Sequence, residues 1–215
     1  MLTIAFLQDN HNHPGYTSAS LRTQGVGGTE SSVIYLAERL AARGHRIYAL
    51  NRLDAAAGDG GVLWMPLQDK DSLPPVDVAI GINSARILSG VRSRRAISWL
   101  HNPPTKKQQL KRRNLWALIR HRPHAVVLGS YQSQLLPEWL PYAGRSIISH
   151  GVADAFFLAA PERTPRRPIA VFTSQPKRGL DFVIEAWANI HAAVPAAELH
   201  VFCPQAREEE AAAKA

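Results

Sequence analysis

The sequence predicts an α/β protein with a mostly parallel sheet covered by helices on both faces. Two observations carry that expectation. Short apolar runs alternate with helix-length stretches, and the first run is continuous in hydrophobicity, as in a strand buried on both faces. Residues 2–7 form the first run, and further strand candidates lie at 47–50, 62–65, 76–82, 96–100, 125–128 and 146–149. Between them, Val33, Leu36, Ala37 and Leu40 follow the spacing of an amphipathic helix that Gly44 would end, and helix-length stretches occupy about 105–121 and 132–140. Right-handed crossovers would place the strand C-terminal ends along one edge, so the loops after Leu7, Leu100, Leu128 and Ser149 are the places to look for chemistry.

Residues 159–168 are proline-rich, charged and without apolar periodicity, which is linker composition. The sequence therefore predicts a first domain over 1–158, a linker, and a second α/β unit over 169–215. That unit offers strands at 169–173 and 198–202, a helix carrying Leu180, Val183, Ile184 and Trp187, and a helical tail over 207–215. Two strands and one helix do not bury both faces of a sheet, so the unit is expected either to pack onto the first domain or, the preferred reading, to be the truncated start of a domain.

The 215 residues are 46% hydrophobic and 20% charged, an ordinary globular balance without low-complexity tracts. One cysteine, Cys203, forms no internal disulfide and suits a reducing compartment. The apolar start lacks a basic leader, and no apolar run is long enough to span a bilayer, so a cytoplasmic protein is expected. The net charge of +8 and pI near 10.1 favour anionic partners, or simply keep an arginine-rich surface charged.

Gly27 and Gly28 precede a helix, where paired glycines let a ligand approach free backbone amides; a plain turn capped by Thr29 is the alternative. Glu30 occupies the third glycine position of a dinucleotide fingerprint, which therefore does not fit. Lys177 and Arg178 stand before a helix whose dipole repels them, an arrangement a diphosphate would relieve; the alternative is a solvated basic turn. Asp9 ends the first strand, where it would help bind an acceptor or cap the loop. His11 and His13 lack the partners of a metal site, and no metal is expected. The basic stretch through residues 106–119, with Trp116 and Ile119, is either a core-facing helix with a solvated side or a peripheral contact with an anionic membrane.

The order Gly27-Gly28-Thr29-Glu30, Trp99-Leu100-His101-Asn102, His150-Gly151-Val152-Ala153, Ser174-Gln175-Pro176-Lys177-Arg178-Gly179, Glu185-Ala186-Trp187 and Glu198-Leu199-His200-Val201-Phe202 resembles glycosyltransferase family 4. Members of that family have two facing Rossmann-like domains, the GT-B architecture. The resemblance implies a Rossmann-like acceptor-side domain followed by an incomplete Rossmann-like donor-side unit. It also implies retaining, metal-independent transfer of a hexose from a nucleotide sugar to a glycan or lipid-linked acceptor, as in polysaccharide biosynthesis. No cofactor beyond the donor co-substrate is expected. Carried over residue by residue, it gives His101 beside the transferred sugar, Gly27 and Gly28 against donor and acceptor, and Arg178 on the donor pyrophosphate with Lys177 and Ser174 as helpers. Without the resemblance, His101 reads as a loop histidine ordering Asn102-Pro103-Pro104. His150 replaces the family's usual asparagine, and that turn is expected only to position the crossover. The family's later acidic motif has no counterpart, so the expected alternative is a catalytically incomplete binding module. A nucleic-acid-binding reading lacks a recognition helix or an aromatic-basic strand motif.

Overall fold

The computed structural model describes residues 1–10, 14–23, 25–103, 109–158 and 167–202. The chain divides into two compact units, Met1–Gly151 and Val152–Ala215. The first unit holds β1 (Thr3–Leu7), β2 (Arg46–Asn51), β3 (Ala57–Asp59), β4 (Val62–Pro66), β5 (Val76–Ile82), β6 (Ser93–Leu100), β7 (His124–Val127) and β8 (Gly144–Ile147). They form one sheet in the order β3-β4-β2-β1-β5-β6-β7-β8, parallel except for β3 against β4. This is the α/β, Rossmann-like architecture expected.

β1 shows why the first apolar run is continuous. Ile4 and Phe6 enter one core with Trp64 and Ile80, whereas Ala5 and Leu7 enter the other with Leu88 and Leu118. Helix α1 (Ser20–Thr23) is a single turn, and α2 (Gly28–Ala42) covers the Phe6 face. Helix α2 buries Glu30, Val33, Ile34 and Ala37. The buried stripe is thus turned from the expected one, and Leu36 lies exposed. Gly44 follows the helix at φ 83, as its role required. The opposite face is covered by the 3-10 turn Ala85–Leu88 and by α3 (Arg112–His121). Next comes α4 (Ser130–Leu135), which stops short of the expected 132–140 because Pro137 cannot continue a helix.

Two elements differ further from expectation. Strand β3 is formed by residues to which the sequence reading gave no element, through the two-residue turn Gly60-Gly61. Both glycines have positive φ, 62 and 73, which fits the twist of a tight hairpin. Strand β8 sits two residues earlier than expected. Of the expected helix from about 105, residues 104–108 lie outside the described residues, as do His11, His13, Cys203 and the tail 207–215.

The second unit contains α5 (Asp154–Leu158), β9 (Ile169–Phe172), the 3-10 turn Pro176–Arg178, α6 (Leu180–Ala193) and β10 (Glu198–Val201). β9 and β10 pair in parallel, so the unit is a βαβ crossover. The division between units falls before α5, and 159–166 of the expected linker lie outside the described residues. Among this unit's described residues only Ala197 is buried, and Val171, Phe182, Ile184 and Phe202 are exposed. Among the described residues no helix is long and apolar enough to cross a membrane.

Asn114 joins α3 to the turn that follows β5. Its Oδ1 accepts from the Ala85 amide at 3.0 Å and the Ser84 hydroxyl at 3.1 Å, and its Nδ2 donates to the Gln109 carbonyl at 3.1 Å. Asn114→Ala is expected to cost about 1–3 kcal/mol by leaving buried groups unpaired. Urea denaturation of variant and parent measures it, and an unchanged midpoint would remove Asn114 from this role.

Candidate functional site

The strand order reverses between β1 and β5. The chain builds outward through β2 and β4, then returns to the other side of β1 for β5 to β8. Ligands of open α/β sheets bind outside the strand C-terminal ends at such a point. Along this edge the structure places Gln8, Asp9, Asn83, His101, His150 and the first turn of α2.

His101 follows β6 and is only 8% exposed. Its ring packs on Trp99, centroids 4.3 Å apart, and meets the His150 ring edge-on at 5.0 Å. Neither ring nitrogen finds a hydrogen-bond partner among the described residues. Burial, with His150 adding to it, lowers its pKa to about 4, so the ring is neutral at physiological pH. A neutral imidazole offers one N–H donor and one acceptor lone pair.

The backbone under this ring is fixed by Asn83, which takes φ 60 immediately after β5. Asparagine tolerates that left-handed conformation better than most residues. Its Oδ1 accepts the amides of His101 at 2.8 Å and Asn102 at 3.1 Å. Gln132 holds the other side, donating to the His101 carbonyl at 3.1 Å and accepting from the Leu128 amide at 2.7 Å. The His101 backbone is therefore held on both sides by Asn83 and Gln132; Pro104, part of the alternative loop-ordering reading, lies outside the described residues.

His150 connects this histidine to α2. Its Nδ1 lies 3.0 Å from the Ser32 hydroxyl, which also lies 2.7 Å from the Gly28 carbonyl. A carbonyl only accepts, so the single serine proton goes to Gly28 and His150 Nδ1 is the donor. The neutral His150 tautomer thus carries its acceptor lone pair on Nε2.

Helix α2 begins with Gly27 as N-cap, two positions earlier than a Thr29 cap would give, and no side chain caps its first turn. Gly27 is constrained from below. A Cβ there would stand 2.3 Å from Glu30 Oε2. Glu30 is held in turn, because its Oε1 accepts from Gln8 Nε2 at 2.6 Å, and Gln8 Oε1 accepts from the Tyr16 hydroxyl at 2.5 Å. Burial and the nearby Glu30 raise the Tyr16 pKa well above its usual value, keeping this hydroxyl a donor. Gly28 has open space where a side chain would project.

No family model matches the chain, and no curated protein matches it. Among solved structures, the chain is similar to a sucrose-phosphate synthase from Thermosynechococcus elongatus. The TM-score is 0.58 and the identity 16%, with 95% of this chain and 64% of that chain covered. At that identity the likeness is one of fold. The chain spans less than two thirds of that neighbour's length.

The remaining expected site residues fall in two places. Asp9 is clamped between Arg52 Nε at 3.0 Å and Arg86 Nη2 at 3.2 Å, joining the ends of β1 and β2 to the 85–88 turn. Ser174, Lys177 and Arg178 belong to the second unit, before α6, where Gly179 caps the helix at φ 105. Lys177 and Arg178 are exposed, and neither makes a side-chain hydrogen bond or ion pair with another described residue. Sequence reasoning passed over Asn83, whose signal was an asparagine closing an apolar run, and gave His150 only a positioning part.

His101 makes stability depend on pH. Its pKa drops from 6.5 in the unfolded chain to about 4 in the fold, so the unfolded state binds more protons between those values. Its contribution is fully present above 6.5 and is lost as the pH falls towards 4. His101→Gln is expected to flatten the fall in urea midpoint between pH 7 and about 4.5; parallel curves for parent and variant would contradict it. Asn83→Ala removes an acceptor shared by two amides, with an expected cost of about 1–3 kcal/mol by the same assay.

Proposed function

We propose that the chain supplies the acceptor side and part of the donor side of a cytoplasmic GT-B glycosyltransferase, which moves a sugar from a nucleotide-sugar donor to an acceptor. The observation that carries this reading is the His101 ring. It is buried, unpaired at both nitrogens among the described residues, and joined through His150 and Ser32 to the uncapped first turn of α2. The fold likeness and the ordered motifs of family 4 add support.

In this reading neutral His101 orients a hydroxyl of the transferred sugar. Gly27 and Gly28 admit the donor to the α2 amides, where the helix end favours its negative charge. In the second unit, taken by itself, Arg178, with Lys177 and Ser174, is the family-derived candidate for binding a diphosphate, whose charge grows as a sugar–oxygen bond breaks. The acceptor oxygen bonds the anomeric carbon, and its proton leaves on the departing diphosphate. Cationic side chains rather than a metal ion neutralise that leaving group, and the configuration at the anomeric carbon is retained.

A second reading, binding without turnover, draws on the nearly unburied second unit. One panel separates them: the 215-residue chain incubated with UDP-, GDP- and ADP-sugars. Calorimetry with UDP, GDP and ADP runs alongside. Transfer or slow donor hydrolysis is expected, insensitive to EDTA. His101→Ala should lower kcat about 10²-fold or more while nucleotide affinity stays within about threefold. Arg178→Ala should weaken nucleoside-diphosphate binding about tenfold. Nucleotide binding without any turnover selects the second reading, and no nucleotide binding at all overturns both.

A further inference from the structure

Outside the ends of β1 and β5, at the reversal of strand order, lies a cleft of about 1120 Å³. Its walls carry Lys70, Arg86, Lys111, Arg112, Arg113 and Arg120, and among the described residues Asp9 is the only carboxylate lining it. Asp9 is already ion-paired to Arg52 and Arg86, and Lys70 Nζ donates to the Ser89 carbonyl at 2.7 Å. Lys111, Arg112, Arg113 and Arg120 are exposed and make no side-chain hydrogen bond or ion pair with another described residue. Three of these four stand at or in the first turn of α3, beside a helix end that repels cations.

The wall that carries them is built, since Asn114 holds α3 against the 85–88 turn from the buried side. Trp116, 63% exposed, adds a flat apolar surface to the same lining. Asn83 also lines the cleft, and its side chain fixes the backbone of His101. The cationic cleft and the histidine therefore share one support.

We propose that this cleft binds the acceptor through a phosphate group, so that the acceptor is a phosphate-bearing sugar or lipid rather than a neutral glycan. A neutral acceptor would leave four neighbouring cations uncompensated. A phosphate receives charge-assisted hydrogen bonds from several of them at once, while a ring beside it packs on Trp116. This rests on the glycosyl-transfer reading for the word acceptor, but binding in the cleft is measurable without transfer.

The test uses the whole chain and calorimetry with inorganic pyrophosphate, glucose 6-phosphate and glucose, together with sedimentation of phosphatidic acid and phosphatidylcholine vesicles. Glucose 6-phosphate or pyrophosphate binding without glucose binding supports a free phosphate source. Sedimentation with phosphatidic acid but not phosphatidylcholine supports a lipid-borne one. In either case Arg112→Gln/Arg120→Gln is expected to weaken binding at least tenfold. Arg43→Gln/Arg95→Gln, an equal charge change away from the cleft, should leave it within about twofold. The exposed single variant Arg113→Gln repeats the test should the double variant misfold. Binding to none of the phosphates, or binding that both double variants weaken equally, overturns the proposal. His101→Ala should keep phosphate binding. Phosphate binding without transfer thus counts against the transfer reading alone, and nucleotide binding without phosphate binding in the cleft counts against this inference alone.

Discussion

Burial of β1 on both faces is the constraint from which the rest of the first unit follows. Phe6 and Leu7 point in opposite directions, and each is essentially inaccessible to solvent. Each such side chain contributes about 1.5–3 kcal/mol only if its own face is covered. A sheet in that position needs helices on both sides, and with parallel strands the chain reaches both by reversing direction at β1. The crossovers then bring every strand C-terminal end to one edge. Gln8, Asn83, His101 and the start of α2 are far apart in sequence, and they share that edge for this reason.

The edge is held together largely by neutral amides. Gln8, Asn83, Asn114 and Gln132 hydrogen-bond across elements, and Asn51 does the same for the Tyr16 amide and carbonyl at 3.1 and 2.9 Å. A carboxamide can donate and accept at once, so it satisfies buried backbone groups without the cost of burying a charge. Against this background the His101 ring, packed on Trp99, whose Nε1 is also without a partner among the described residues, differs from the amides. Its backbone is fixed on two sides while its ring nitrogens have no partner among the described residues. That combination suits a side chain held in place to meet a ligand.

The fold was largely legible in the sequence because a strand buried on both faces leaves an uninterrupted apolar run. Residues 76–82 became β5 with the same ends, and most other strands moved by a residue or two. Strand β3 was not legible, since Ala57-Gly58-Asp59 has no apolar pattern and exists through its hairpin with β4. The turned stripe of α2 reflects tertiary packing, as Ile34 and Leu36 are equally apolar and only the sheet chooses between them. Gly27, Gly28 and His101 were named from the sequence, by position after a strand or before a helix and by family resemblance, and the structure puts them along the strand C-terminal edge. Asn83 was not singled out and His150 was given only a positioning part, because what each does lies in what it touches. A carboxamide that accepts two amides eighteen and nineteen residues away leaves no local signature.

Charge divides the edge into two environments that a glycosyl transfer would need to keep apart. Around His101, burial disfavours the protonated ring, so the site presents a neutral hydrogen-bonding group against Trp99 and His150. A few residues away, across Asn83, the cleft presents cations that remain in water. An anion attracted to the wrong environment would lose most of its interaction energy, because neutral His101 has no charge with which to hold it. A hydroxyl in the cationic cleft would likewise gain little over water. Under the proposed transfer, the separation would keep an acceptor's phosphate at α3, apart from the neutral ring that orients the transferred sugar. Asn83, supporting one environment and lining the other, fixes the spacing between them.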